Sequence, residues 1–324
     1  MKGYSVGVWT YGMGSERYVS SGYKPFLPLS ERVASIARLE GVTAVEVTFP
    51  NDVNAESLQE FRALVDRHGL KVSALGVELV CDAEWRDGSF SAPDAGRRAK
   101  SVDLTIRAMD LAAELGVEVV SLWLGQDGFD YVFQADYTAA WDLLVSGLRT
   151  CARHRGDIKL GVEYKLSEPK MNCYVNSGGK ALALAMATGM PNVGITLDVG
   201  HAFNARENPA EIAAVLQREG RLFHLHLNDN YGLADDDMPV GTVHWAQYVE
   251  LMYWLDRSGY EGWCTLDLYP YRDDAGAACE ASLDFLRRIQ ALVRRPGFAE
   301  ELPGLRRQAP GRVLQWLFAE TLKA

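Results

Sequence analysis

Val193-Gly194-Ile195-Thr196-Leu197-Asp198-Val199-Gly200-His201 and Arg221-Leu222-Phe223-His224-Leu225-His226-Leu227-Asn228-Asp229 bracket a helical stretch. Each is a short apolar run that ends in acids, amides or histidine. The spacing predicts two parallel strands joined by a helix, with polar side chains collected where each strand stops. The same unit recurs along the chain. Predicted strands are Tyr4–Thr10, Ala44–Phe49, Lys71–Val77, Val117–Leu122, Lys159–Tyr164, Val193–Leu197, Arg221–His226 and Trp263–Asp267. Helical spacing fills the gaps, as at Leu29, Val33, Ile36 and Ala37, and helix-stopping glycines precede several strands (Gly41, Gly69, Gly116, Gly156, Gly262). Eight strands alternating with helices imply right-handed βαβ crossovers and close naturally into a (β/α)8 TIM barrel. An open doubly wound sheet is the other arrangement of such units, but no Gly-x-Gly-x-x-Gly follows the first strand.

The chain has 324 residues, 48% hydrophobic and 23% charged, the balance of a globular protein. With 33 basic against 43 acidic residues its net charge is −10, which disfavours a nucleic-acid partner and suits a cation site or a neutral substrate. No run approaches the length of a membrane span, and the start carries no extended apolar segment of signal-peptide length, so a cytoplasmic protein without membrane contact is expected. Five scattered cysteines (Cys81, Cys151, Cys173, Cys264, Cys279), with no Cys-x-x-Cys, read as thiols in a reducing compartment. The alternation stops near residue 291. Residues 1–290 are therefore read as the barrel and 291–324 as a C-terminal helical extension. Its final helix, Val313–Leu322, is too apolar to lie in water, which implies packing on the barrel or on another copy.

In such a barrel, chemistry gathers at the C-terminal ends of the strands. Strand five brings Glu163 and Lys165 to one face. Strand six ends in Asp198 and His201, strand seven carries His224 and His226, and strand eight ends at Asp267, with Asp235-Asp236-Asp237 in the intervening loop. Singly, each has a plainer reading: an aspartate after a strand caps a helix, a histidine is satisfied in the core, and three aspartates make a solvated turn. His224 is assigned to the interior on that ground. Together the acids would repel one another unless a cation neutralised them. Carboxylates with imidazole suit Mn2+, Mg2+, Co2+ or Zn2+.

At these residues the chain resembles the xylose isomerase-like barrels of the sugar phosphate isomerase–epimerase superfamily. The carrying motifs are Glu163-Tyr164-Lys165-Leu166-Ser167-Glu168-Pro169-Lys170, Asp198-Val199-Gly200-His201, Leu222 to Asn228, and Asp235-x-Asp237 followed by Gly241. The resemblance implies a divalent metal, Mn2+ foremost, on Glu163, Asp198, His226 and Asp267. It also implies a second, weaker site that adds His201, Asp235 and Asp237 to the bridging Asp198. Lys165 and Glu163 would be catalytic, and Trp9, Trp123, Glu168 and His201 would contact a sugar. Two departures stand out. Phe49-Pro50-Asn51-Asp52 replaces the family's sugar-handling histidine after strand two. His226 stands where xylose isomerases have aspartate, as in the related ketose 3-epimerases, yet Asp267 replaces their last glutamate. The expected function is a metal-dependent isomerase or epimerase acting on a carbohydrate carbonyl, in a homo-oligomer. The alternatives are a keto-sugar lyase resembling C-glycoside-cleaving enzymes, with a partner subunit, and a non-catalytic sugar-binding barrel. An apurinic endonuclease would need early-strand histidines that are absent.

Overall fold

β-Branched and leucine-rich runs form the strands, and the computed structural model describes residues 1–15 and 17–321. In chain order the strands are β1 Gly3–Gly7, β2 Val42–Phe49, β3 Lys71–Val77, β4 Val119–Trp123, β5 Gly128–Phe129, β6 Lys159–Glu163, β7 Asn172–Cys173, β8 Val193–Asp198, β9 Leu222–Leu227 and β10 Trp263–Leu266. Eight of them are parallel and close in the order β1-β10-β9-β8-β6-β4-β3-β2, the TIM barrel that the alternation implies. The helices are α1 Leu29–Ile36, α2 Leu58–Arg67, α3 Ala95–Leu115, α4 Tyr137–His154, α5 Gly178–Ala187, α6 Val199–Asn204, α7 Pro209–Arg218, α8 Trp245–Arg257, α9 Ala275–Val293, α10 Phe298–Leu305 and α11 Pro310–Thr321. Asp94, Asp136, Ser177, Asp198, Asn208 and Asp274 cap helix N-termini through their side chains.

One apolar core holds most of the buried aliphatic and aromatic side chains. The barrel interior is more polar. Ser5 and Ser73 meet at 2.7 Å, and Ser121 and Thr196 at 2.9 Å. Each pair joins strands that are not neighbours, so the contacts cross the inside of the ring. Small hydroxyls there leave room for larger polar side chains toward the C-terminal rim.

Local differences from the sequence expectation have physical causes. The first strand, expected over Tyr4–Thr10, stops at Gly7, and Val8–Tyr11 turn as a 3-10 helix. That turn folds the Trp9 ring back over Gly7, where a Cβ would lie 2.2 Å from the indole. The fourth barrel strand, expected over Val117–Leu122, runs Val119–Trp123. β5 and β7, two residues each, pair antiparallel between loops above the barrel and are too short to show a period. The last barrel helix, α9, continues to Val293, three residues past the expected boundary at 290. Beyond it lies α10, unread in the sequence because Pro303 interrupts the pattern. The final helix begins at Pro310, and Leu322 of the expected range lies outside the described residues. Phe298 packs at a tilt against Trp316 (4.7 Å between ring centroids) and near Tyr253 of α8 (6.1 Å), tying the extension to the barrel. Leu314 and Phe318 remain about half exposed. Among the described residues no helix is long and apolar enough to cross a membrane.

Candidate metal centre

Four strand ends converge at the C-terminal rim. Glu163 closes β6, Asp198 closes β8, His226 lies on β9, and Asp267 follows β10. One ligand atom from each lies within 4.8 Å of the others. His226 Nδ1 is 3.4 Å from Glu163 Oε2 and 3.3 Å from Asp267 Oδ2. It is buried, has no hydrogen-bond partner and faces a ring of carboxylates. The donor set of one imidazole and three carboxylates fits a divalent cation.

Each of these four side chains is braced locally. Asp198 is the N-cap of α6, accepting from His201 N at 2.8 Å, as a lone aspartate after a strand commonly does. Its other oxygen accepts from Asn228 Nδ2, also at 2.8 Å. Gly200 makes this possible: a Cβ there would sit 1.9 Å from Asn228 Oδ1. Asp267 Oδ1 accepts from the Trp9 indole at 2.6 Å, which leaves Oδ2 toward His226. On its far side His226 Nε2 lies 3.0 Å from Glu46 Oε1, while His224 Nε2 lies 2.8 Å from Glu46 Oε2. Glu46 was not visible as a site residue. The signal available was a single acid inside the otherwise apolar run of β2, since a buried glutamate is almost always paired.

The electrostatics describe a site with too many acids for its own cations. Burial pushes the Asp198 carboxyl up to about 7, with His201 opposing and Glu163, Asp235 and Asp267 adding to the rise. Burial alone would lower His201, but Asp198 and Asp235 lift it to about 9. His226 is likewise raised well above the usual imidazole range, against its burial, by Glu46 and Glu163. Burial opposes ionisation of Glu46, yet the two imidazoles hold its carboxyl well below the usual range.

Lys165 lies beside this centre. Its Nζ contacts Asp235 Oδ2 at 2.7 Å and Glu168 Oε2 at 3.3 Å, and it stands 4.9 Å over the Trp123 ring. Burial would lower its pKa, but Asp235 and Glu168 outweigh burial and raise it. His201 bridges the two halves of the site, with Nδ1 3.4 Å from Glu163 and Nε2 3.1 Å from Asp235. Asp237 does not join that group. It pairs with Arg17, whose guanidinium also donates to Asp235 O at 2.7 Å and lies 4.8 Å over the Tyr269 ring. Arg17 belongs to the irregular loop after β1, where no periodicity marks it. Trp9 meets the His226 ring edge-on at 6.3 Å, so it touches two residues of the centre besides facing the rim.

Known proteins share this architecture. Xylose isomerase of Thermus thermophilus is 26% identical over 284 residues, spanning 84% of this chain and 73% of that protein. A D-tagatose 3-epimerase-like protein superposes with a TM-score of 0.69 at 21% identity, over 90% of this chain and 99% of the other. An L-ribulose 3-epimerase structure gives 0.68 at 18% identity, over 95% and 100%. Residues 33–289 match the family model of the xylose isomerase-like TIM barrel, and the chain belongs to that family.

Proposed function

We propose that the protein is a sugar isomerase or epimerase that uses one strongly held divalent ion, bound by Glu163, Asp198, His226 and Asp267, and moves a proton at a carbon next to a carbohydrate carbonyl. The observation that carries this reading is the unpartnered, buried His226 Nδ1 facing Glu163 and Asp267. The ion, with Mn2+ suiting the mixed donors and Mg2+, Co2+ or Zn2+ compatible, supplies Lewis-acid polarisation of neighbouring sugar oxygens when bound.

The chain's own groups do the rest. Glu163 and Asp267 present carboxylates from different strands, one to take the proton and the other to return it. Lys165, kept charged by Asp235 and Glu168, donates a hydrogen bond to a substrate oxygen as negative charge develops there. Trp9 and Trp123 offer aromatic faces to the apolar side of a sugar ring. Glu168 and His201 bind hydroxyls from the rim.

A single strong ion is supported by the state of the remaining acids. Asp235 already has Lys165 and His201, and Asp237 has Arg17, so their countercharge comes from the protein. That arrangement favours proton transfer over a two-ion hydride shift. The half-exposed Leu314 and Phe318 support burial against another copy.

The test is turnover of a panel of pentoses, hexoses and their keto derivatives in D2O with Mn2+ added, followed by proton NMR. Deuterium entering at the altered carbon is expected. Conversion with complete retention of the original hydrogen would overturn the proton-transfer reading. An unsaturated product that has lost a substituent would indicate a lyase instead.

A further inference from the structure

We propose that Glu46 is a positioning residue for this centre, its carboxylate fixing the His226 ring so that Nδ1 rather than Nε2 faces Glu163 and Asp267. The inference rests on the metal reading above. β2 is three places from β9 around the ring, by way of β1 and β10, so the Glu46 side chain crosses the barrel interior to reach its partners. Oε1 meets His226 Nε2 at 3.0 Å and Oε2 meets His224 Nε2 at 2.8 Å. Thr265 Oγ1 lies 3.0 Å from the same His224 nitrogen, and Ser73 Oγ lies 3.4 Å from Thr265. All of these side chains are buried.

Stability gives little reason for an acid at this position. A carboxylate shut away from water carries a large desolvation penalty, and apolar replacements of buried ionic groups are often neutral or stabilising. Barrel interiors are ordinarily filled by branched apolar residues. Orientation does give a reason. An imidazole that binds a metal through one nitrogen is held in place by an acceptor on the other, which sets both tautomer and ring angle. In the neutral ring that would bind a metal, Glu46 accepting from Nε2–H leaves the lone pair on Nδ1, the atom that lacks a partner and lies beside Glu163 and Asp267. His224 takes the second oxygen and so fixes the plane of the carboxylate. Glu46, His224 and His226 are also close enough to enclose an ion of their own. Their facing atoms already make two hydrogen bonds, which assigns the cluster to bracing.

The experiment measures Mn2+ affinity by competition with a fluorescent chelator, beside melting of the metal-free protein, for wild type, Glu46→Leu, Glu46→Gln and His224→Leu. Loss of the acceptor in Glu46→Leu should weaken Mn2+ binding about 10- to 100-fold. Glu46→Gln keeps the shape but offers a weaker, neutral acceptor, so an intermediate loss is expected. It carries the test alone if the leucine variant does not fold. His224→Leu disturbs the same buried cluster yet leaves the Glu46–His226 bond, so its melting temperature should fall while its loss of affinity stays clearly smaller than that of Glu46→Leu. Wild-type affinity in the folded Glu46 variants would overturn the inference, as would an equal loss in His224→Leu. A wild-type chain that takes up no Mn2+ would instead remove the metal reading, and this inference with it.

Discussion

Trp9 Nε1 donates to Asp267 Oδ1 at 2.6 Å, joining the turn after the first strand to the carboxylate after the last. The tryptophan occupies one carboxylate oxygen and leaves the other toward His226. Asp267 is one methylene shorter than the glutamate found in the related ketose 3-epimerases, and a donor from a neighbouring strand end suits a short side chain that must be aimed.

Trp9→Phe keeps most of the aromatic surface and removes the donor. We expect about 10-fold weaker Mn2+ binding, with the fold intact by circular dichroism. Unchanged affinity together with a raised KM for sugar would assign Trp9 to substrate stacking alone.

His226→Ala should abolish the stabilisation that metal confers. In wild type, free Mn2+ at one hundred times its Kd should add about 2.7 kcal/mol to unfolding, seen as a rise in Tm. In the variant, Tm should be the same with Mn2+ and with EDTA. A persisting Mn2+-dependent rise would place the ion elsewhere.

The barrel was legible because its signals are local: an apolar strand, a glycine stop and an amphipathic helix each fit within about twenty residues. Gly116, which ends α3 with φ of 71°, shows the stop at work. The four candidate residues Glu163, Asp198, His226 and Asp267 could be picked out because each stands at or beside a strand end, a position that the fold makes special. Glu46 and Arg17 were not, because their meaning depends on partners far along the chain. Glu46 meets histidines 178 and 180 residues away, and Arg17 meets Asp237 after 220. The same distance hid the partner of Lys165, Asp235, which lies 70 residues on. An adjacent acid could be seen in the sequence, and a distant one that fixes the charge could not.

Gly200→Ala tests the close contact beneath Asp198. The new methyl would meet Asn228 Oδ1 at 1.9 Å and Asn230 Nδ2 at 2.9 Å, so Asn228 must withdraw its hydrogen bond from Asp198. Overpacking of this kind costs about 1–3 kcal/mol in chemical denaturation, and weaker Mn2+ binding should accompany it. Wild-type values for both would mean that Asn228 has room to move without disturbing Asp198.

Lys165 separates charge as structure from charge as chemistry. Its Nζ is buried between Asp235 and Glu168, and removing it strands Asp235 with His201 as its remaining cation. Lys165→Met keeps much of the apolar stem over Trp123. The variant should lose about 3 kcal/mol of stability from the broken buried pair. On the proposed mechanism it should also lose roughly 100-fold or more in kcat on a true substrate, measured well below its Tm. Lys165→Met combined with Asp235→Asn distinguishes the two effects. The neutral amide no longer needs the ammonium, so stability should return toward wild type, while kcat should stay low because no cation faces the substrate oxygen. If activity returned along with stability, Lys165 would be a partner for Asp235 and nothing more, and the donor in the proposed mechanism would have to be sought at His201.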